Sequence, residues 1–281
     1  MKYTCLLLLL VASFQTNACE QLSEECIETK QWKFSVSLGA GTLTNPLYSG
    51  KNIPLYVIPN FNFYGDKLFI ENNTLGYTVQ ETRHWSVSLI SQVNREKVFF
   101  ASDSASALLL PSNAFLEGSL ASKDANLDHR DVKKRKWSLD GGLQFNGFFK
   151  DGYFTNIQLL TDITNVHKGS NALLEIGKIS TLELLNNTKI SWSLGVNWSD
   201  SKLMNYYYGI SEITVNDSEL SYSASSSLNP FAKLNITKII NNNWHARFSI
   251  KREYLSNAYQ HSPLINDDKI DIVFAGVTYA F

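Results

Sequence analysis

The feature that most constrains this chain is a two-residue alternation of apolar with polar or very small side chains. It recurs from Trp32 onward and is clearest where the chain stops. In the final stretch, IDIVFAGVTYAF, residues Val273, Ala275, Val277, Tyr279 and Phe281 share one parity, opposite Ile272, Phe274, Gly276, Thr278 and Ala280. Side chains two apart point to the same side of a strand, so this is a strand with one apolar face. A free terminus of a soluble domain usually frays and has little reason to end on an aromatic residue. A lipid-facing strand that closes a barrel supplies that reason, and Val277, Tyr279 and Phe281 are expected to form the closing terminus. The alternative is a last strand tucked into a soluble sandwich.

Five earlier segments repeat one arrangement, in which a Trp opens the apolar face and the opposite face is polar or tiny. Trp32, Phe34, Val36, Leu38 and Ala40 alternate with Lys33, Ser35, Ser37, Gly39 and Gly41; Trp85, Val87 and Leu89 with Ser86 and Ser88. Trp137, Leu139, Gly141, Leu143 and Phe145 oppose Ser138, Asp140, Gly142, Gln144 and Asn146. Trp192, Leu194, Val196 and Trp198 oppose Ser193, Gly195 and Asn197, and Trp244, Ala246, Phe248 and Ile250 oppose His245, Arg247, Ser249 and Lys251. At a bilayer interface an indole buries its ring while its N–H stays near the headgroups. Trp32, Trp85, Trp137, Trp192, Trp198 and Trp244 therefore read as an aromatic girdle around a polar lumen.

The first residues read as an export signal. Lys2, the apolar run Leu6–Ala12 and the small residue Ala18 match a secretory leader over 1–18, too short for a membrane span and outside the fold. Cys19 would then be the first mature residue. It is either lipidated or bridged to Cys26 within a tether over 19–31, with the barrel over 32–281. The formal charge of −1 argues against nucleic acid as a partner. No mature stretch approaches the roughly 20 apolar residues of a membrane helix, so an exported chain of this kind enters a membrane only by closing a barrel.

Further strands are expected over Pro54–Tyr64, Lys67–Gln80 (with a possible break at Asn72–Asn73), Tyr153–Thr164, Ala172–Thr181, Leu220–Leu228 and Phe231–Ile240. The fold class is thus all-β, a transmembrane antiparallel barrel of about 12 strands within a range of 10 to 14. Asp103–Lys136 is an expected outer loop. The strand count leaves sidedness unresolved, and Tyr206–Ile213 is the main suspect for a missed strand. Chemistry is sparse. The five histidines are dispersed, with no HExxH motif, Cys/His cluster or nucleophile elbow, so no catalytic residue, metal site or cofactor is assigned. Asp162 and His167 could meet across a loop, with a solvated pair as the default. Lys133, Lys134, Arg135 and Lys136 read either as a patch for anionic headgroups or as a solvated turn. Phe99 and Phe100 with Leu108–Leu110 either cover the lumen or pack on the rim.

Several short elements spread over the mature chain carry a resemblance. They are Pro46-Leu47-Tyr48-Ser49-Gly50, Pro54, Asp162 through His167 with Gly169, Tyr207-Tyr208-Gly209-Ile210, Ser262-Pro263-Leu264, and the terminal Gly276–Phe281. In this order they resemble the MipA/OmpV family of outer-membrane proteins, named for MltA-interacting protein. The resemblance implies a Gram-negative outer-membrane location and insertion by the barrel-assembly machinery. It also implies a non-enzymatic role as a scaffold joining a periplasmic lytic transglycosylase and a murein synthase, since the family has no established catalytic residues. The segment Ala101–Lys136 and the Cys-containing extension depart from the family's compact pattern. The alternative function is a small diffusion channel or solute receptor. The family-pattern positions are Pro46, Tyr48, Gly50, Asp162, His167, Gly169, Tyr207, Tyr208, Gly209, Ser262 and Pro263.

Overall fold

The computed structural model describes residues 30–100, 134–182, 187–210 and 221–281. The expected leader, Cys19, Cys26, nearly all of the tether, Leu108–Leu110 and Lys133 lie outside these residues. Among the described residues the strands are β1 (Trp32–Leu43), β2 (Ile53–Pro54), β3 (Val57–Tyr64), β4 (Leu68–Glu71), β5 (Thr74–Glu81), β6 (Trp85–Val93) and β7 (Leu139–Phe148). They continue as β8 (Tyr153–Asp162), β9 (Ser170–Leu182), β10 (Thr188–Ser199), β11 (Ser227–Ile239), β12 (Trp244–Tyr254) and β13 (Lys269–Ala280). From β3 onward each strand pairs antiparallel with the next. β13 then pairs with β1 from Ser35↔Ala280 to Thr42↔Val273, which closes the sheet. β2 is a two-residue appendage on the end of β1, so the wall is a closed antiparallel barrel of 12 strands. Closure removes the free sheet edges, which lipid cannot hydrogen-bond.

The expected alternation decides which way each strand faces. Leu38, Leu89, Leu194 and Phe248 are exposed on the outside, whereas Ser37, Ser88, Ser193 and Ser249 are buried inside. An outward band this apolar has its natural solvent in a bilayer, and the protein is an outer-membrane β-barrel. On the inside one expectation needs correction, because the lumen is not polar throughout. Ile58, Ile270, Ile272 and Phe274 point inward near one end and are buried there.

Sidedness follows from a break that sequence reading left open. Lys67–Gln80 is not one strand: the chain turns at Asn72, whose φ of 51° is a left-handed value that Asn tolerates, and separates β4 from β5. Conversely, Leu220–Leu228 is not a strand, since 221–226 carry only the bridge at Tyr222 and β11 begins at Ser227. Of the suspected strand Tyr206–Ile213, the described residues hold none: Tyr206, Tyr207 and Tyr208 belong to helix α1 (Ser201–Tyr208), and 211–213 lie outside the described residues. With these corrections the strand ends that flank every long connection, 44–56, 94–138, 163–169, 200–226 and 255–268, lie at one end of the barrel. Gln31, Phe281 and the strand ends that flank the short connections 65–67, 82–84, 149–152, 183–187 and 240–243 lie at the other. The first is the loop end of the barrel and the second its turn end. In barrels of this kind the short turns face the periplasm.

Candidate functional site: a capped lumen

The described parts of the long connections fold over the barrel mouth as a cap with its own hydrophobic core. Leu43, Leu47, Ile53, Leu55, Val98, Phe99, Leu203, Met204, Tyr207, Tyr208, Tyr259 and Leu264 are buried together, with the inward Ile270, Ile272 and Phe274 of β13 beneath them. Helix α1 sits at its centre. Asp200 caps α1 by accepting from the Leu203 N–H at 2.9 Å, and the apolar residues Leu203, Met204, Tyr207 and Tyr208 fall on the buried side. At its other end Arg135 donates to the carbonyls of Tyr207 (3.1 Å) and Gly209 (3.2 Å) and lies over the rings of Phe100 and Tyr206. A cation there satisfies carbonyls the helix leaves open. Arg135 is therefore part of the cap and not a solvated charge, and burial lowers its pKa. Phe99 and Phe100 pack in the same core, while Lys134 and Lys136 stay exposed.

The positions that carried the family resemblance converge here. Leu47 bridges Ile265, and the Tyr48 N–H donates to the Leu264 carbonyl at 2.8 Å. Ser262 Oγ donates to the Tyr208 carbonyl at 2.7 Å, fixing the loop of helix α2 (Asn257–Gln260) and Pro263 against α1. Gly50 lies over the Asn45 side chain, which in turn donates to the Phe99 carbonyl at 2.8 Å, so Pro46–Gly50 is held against the Arg95–Phe100 turn. Gly169 packs against the N-terminus of α1 so closely that a Cβ would stand 2.3 Å from Asp200 Oδ1 and 2.5 Å from the Leu203 nitrogen. Only glycine fits there.

Asp162 and His167 do meet, but not as a solvated pair. Asp162 Oδ2 accepts the backbone N–H groups of His167 and Lys168, both at 2.8 Å, and its Oδ1 accepts from Thr164, so the carboxylate shapes the 163–169 loop. His167 is buried. Its Nδ1 accepts from the Gly169 N–H at 3.1 Å, which places the ring proton on Nε2, donating to Asp140 Oδ1 at 2.9 Å. Asp140 Oδ2 accepts from Asn94 and Asn171, both at 2.6 Å. Asp140, Asp162 and His167 together resemble a metal-ligand set, yet each already spends its ligand atoms on hydrogen bonds within the fold.

Under the cap lies a second network that sequence reading did not single out. Arg95 grips Glu253 through two nitrogens, at 3.0 and 2.6 Å, and bonds Glu96 at 3.1 Å. Lys251 reaches Glu253 at 3.0 Å, and the Tyr208 hydroxyl donates to Glu96 at 2.5 Å. Two cations thus balance two anions in a buried site, the condition under which such charges are tolerated. Burial by itself would lower the Arg95 pKa, but Glu253 and Glu96 outweigh it and hold the guanidinium well above its usual range. Burial, reinforced by Glu96, pushes the phenols of Tyr208 and Tyr259 well up, so both stay neutral donors. Farther down, Lys233 pairs with Glu175 at 2.5 Å, and Ser193 donates to the same carboxylate at 2.6 Å. The signal for Lys251 and Glu253 was present as inward parity in β12; their partner Arg95, far away in the chain, was not visible.

The tryptophans divide between the ends. Trp32, Trp85 and Trp244 lie at the turn end, where Trp32 stacks on Phe34 (5.7 Å) and Trp244 meets Tyr279 at 5.0 Å, itself edge-on to Phe281 at 4.9 Å. Trp198 lies at the loop end with Trp137, which precedes β7 and does not open it. Trp192 sits well inside β10, so the ring is less regular than the repeated segments suggested. Val277 points outward and Phe281 is 77% exposed, its N–H donating to the Phe34 carbonyl at 3.0 Å.

Comparison with known proteins agrees with the gathered family positions. MltA-interacting protein from Escherichia coli (strain K12) is 23% identical over 254 residues, covering 89% of this chain and 90% of that protein. The protein of the same name from Shigella flexneri matches to the same extent. Among solved structures, a porin superposes with a TM-score of 0.36 at 8% identity, covering 89% of this chain and 99% of that one. A CymD monoaromatic hydrocarbon channel gives 0.35 at 10%, covering 90% and 88%. At such TM-scores the fold rests on the strand pairing described above. The family described as MltA-interacting protein MipA matches residues 38–281, and the chain belongs to that family.

Proposed function

We propose that this protein is a non-enzymatic outer-membrane channel or receptor that admits a small polar solute to its lumen from the turn end, with the cap as its closed gate. The observation that carries this reading is the contrast along the lumen axis. Inward groups at the loop end are buried and paired, whereas Lys33, Ser35, Asn62, Tyr64, Gln144, Asn146, His245 and Arg247 below remain in part open to solvent. No nucleophile, base and orienting group come together among the described residues, and the one His–Asp pair is sealed in the cap. The test is conductance in planar bilayers. The wild-type protein is expected to conduct little and Glu253→Gln, which removes the charge holding Arg95 and Lys251, to conduct several-fold more. Equal low conductance in both would sink the reading.

A second reading, the scaffold for a murein hydrolase and a murein synthase, is favoured by family membership, since the matched relatives are named for interaction with MltA. It uses the turn end, where 149–152 and 240–243 would face the periplasm. Photoreactive residues in those turns should capture a transglycosylase or synthase in intact cells if it holds.

A further inference from the structure

The lower lumen contains two opposite charges that do not neutralise each other. Arg247 points inward from β12, in register with Gly276 of β13, which is opposite Gly39 of β1. Two residues without side chains therefore separate it from β3. The guanidinium lines a cavity of about 220 Å³ together with Ser37, Asn60, Asn62, Tyr64 and Glu71. Among the described residues Arg247 makes one hydrogen bond, from Nε to Ser249 Oγ at 3.2 Å, and no ion pair. Glu71 on the same cavity accepts the Tyr64 hydroxyl at 2.7 Å and likewise forms no ion pair. The inward amides of Asn60 and Asn62 have no hydrogen-bond partner among the described residues. Higher in the lumen the contrast is plain, for Arg95, Lys251 and Lys233 each hold a carboxylate.

A cation and an anion that share one small cavity, each with an open face, match a ligand carrying both complementary charges. Guanidinium is the side chain best shaped to take a carboxylate, and amide N–H groups beside it supply further donors. We propose that this cavity binds a small zwitterion of the amino-acid type. Its carboxylate sits on Arg247 and the Asn60 and Asn62 amides, and its ammonium sits on Glu71. This rests on the reading of the lumen as a solute compartment open at the turn end.

The test is calorimetric titration of the full refolded chain in detergent with alanine and glycylglycine, against acetate and methylammonium as single-charge controls. The zwitterions should bind and the controls bind at least about tenfold more weakly, because each lacks one charged hydrogen-bonding partner. Arg247→Gln and Glu71→Gln should each weaken zwitterion binding about tenfold or more. Arg247→Lys, which keeps the charge, should recover part of it and guards against misfolding in the Gln variant. Absence of zwitterion binding by the wild type, or binding by either Gln variant as tight as that of the wild type, overturns the proposal. If Glu253→Gln still opens conductance in either case, the channel reading survives and only the zwitterion site falls.

Discussion

The two halves of the lumen solve the problem of placing charge inside a membrane barrel in opposite ways. At the loop end, charges are taken out of water and matched one to one, as Arg95 and Lys251 are with Glu96 and Glu253 under an apolar lid. At the turn end, Arg247 and Glu71 keep an open face and rely on solvent or a solute. The difference teaches where rigidity and where accessibility lie. A buried matched network resists opening because losing one partner strands the others, whereas a hydrated charge is free to exchange partners.

The strongest way to break this contrast is Glu253→Gln. It leaves Arg95 and Lys251 facing no full charge, so the cap should lose about 3–5 kcal/mol. Hydrogen exchange should show faster opening of 95–100 and 201–208 than of the strands; uniform exchange would mean that cap and wall are one cooperative unit. Next in size is the outer wall. Leu194→Arg, at an outward position 57% exposed, should cost about 2–4 kcal/mol in lipid-vesicle refolding, and Ser35→Arg in the wet lower lumen far less. Ser193 belongs with the sealed half despite its small inward side chain, because it is buried and bonded to Glu175; an Arg there should be costly too.

A smaller effect is expected from Tyr208→Phe, which removes the donor to Glu96 and should cost about 1–3 kcal/mol. The pH dependence has a definite sign. Tyr208 and Tyr259 have an unfolded value of 10.0 and a raised folded one, so above that pH the folded cap holds protons that the unfolded chain releases. Cap stability is full below pH 10.0 and falls as pH rises beyond it, so conductance should increase there. In Tyr208→Phe that dependence should be weaker. The smallest expected change is Phe281→Asp at the turn end, where loss of the edge-on contact with Tyr279 removes about 0.5–1.5 kcal/mol. Its larger consequence is expected in assembly, read as the heat-modifiable folded fraction in outer membranes. An unchanged fraction would deny the closing residue a role in insertion.

Much of the barrel was legible in the sequence, and most of the site was not. Trp32, Leu38 and Val277 face outward as their parity required, and strand pairing closes the terminal strand on the first. The strand number was reachable: the possible break at Asn72–Asn73 does divide Lys67–Gln80 into β4 and β5, while the strand expected over Leu220–Leu228 shrinks to the first two residues of β11. Both occur where alternation is interrupted by Asn or Ser, residues equally at home in turns and in a wet lumen. The family positions Pro46, Asp162, His167, Tyr208 and Ser262 were singled out one by one. The meeting of Asp162 and His167 across their loop was readable as a possibility; that Tyr208 and Ser262 bond each other, and that the Asp162–His167 loop joins the same cap, was not.

What the sequence alone determined is the wall. Backbone geometry fixes a period of two, so each strand's inward and outward faces are written locally, and a chain with such faces and no membrane helix has one way to satisfy its backbone in lipid. What only the tertiary structure decided is what the wall encloses. Arg95 and Glu253 are 158 positions apart and Tyr208 and Glu96 are 112 apart, so no local pattern relates them. Closure of the barrel brings those loops to one end, where an apolar core excludes water and forces their charges to pair. Arg247, on the same closed wall but nearer the other end, is left in contact with solvent.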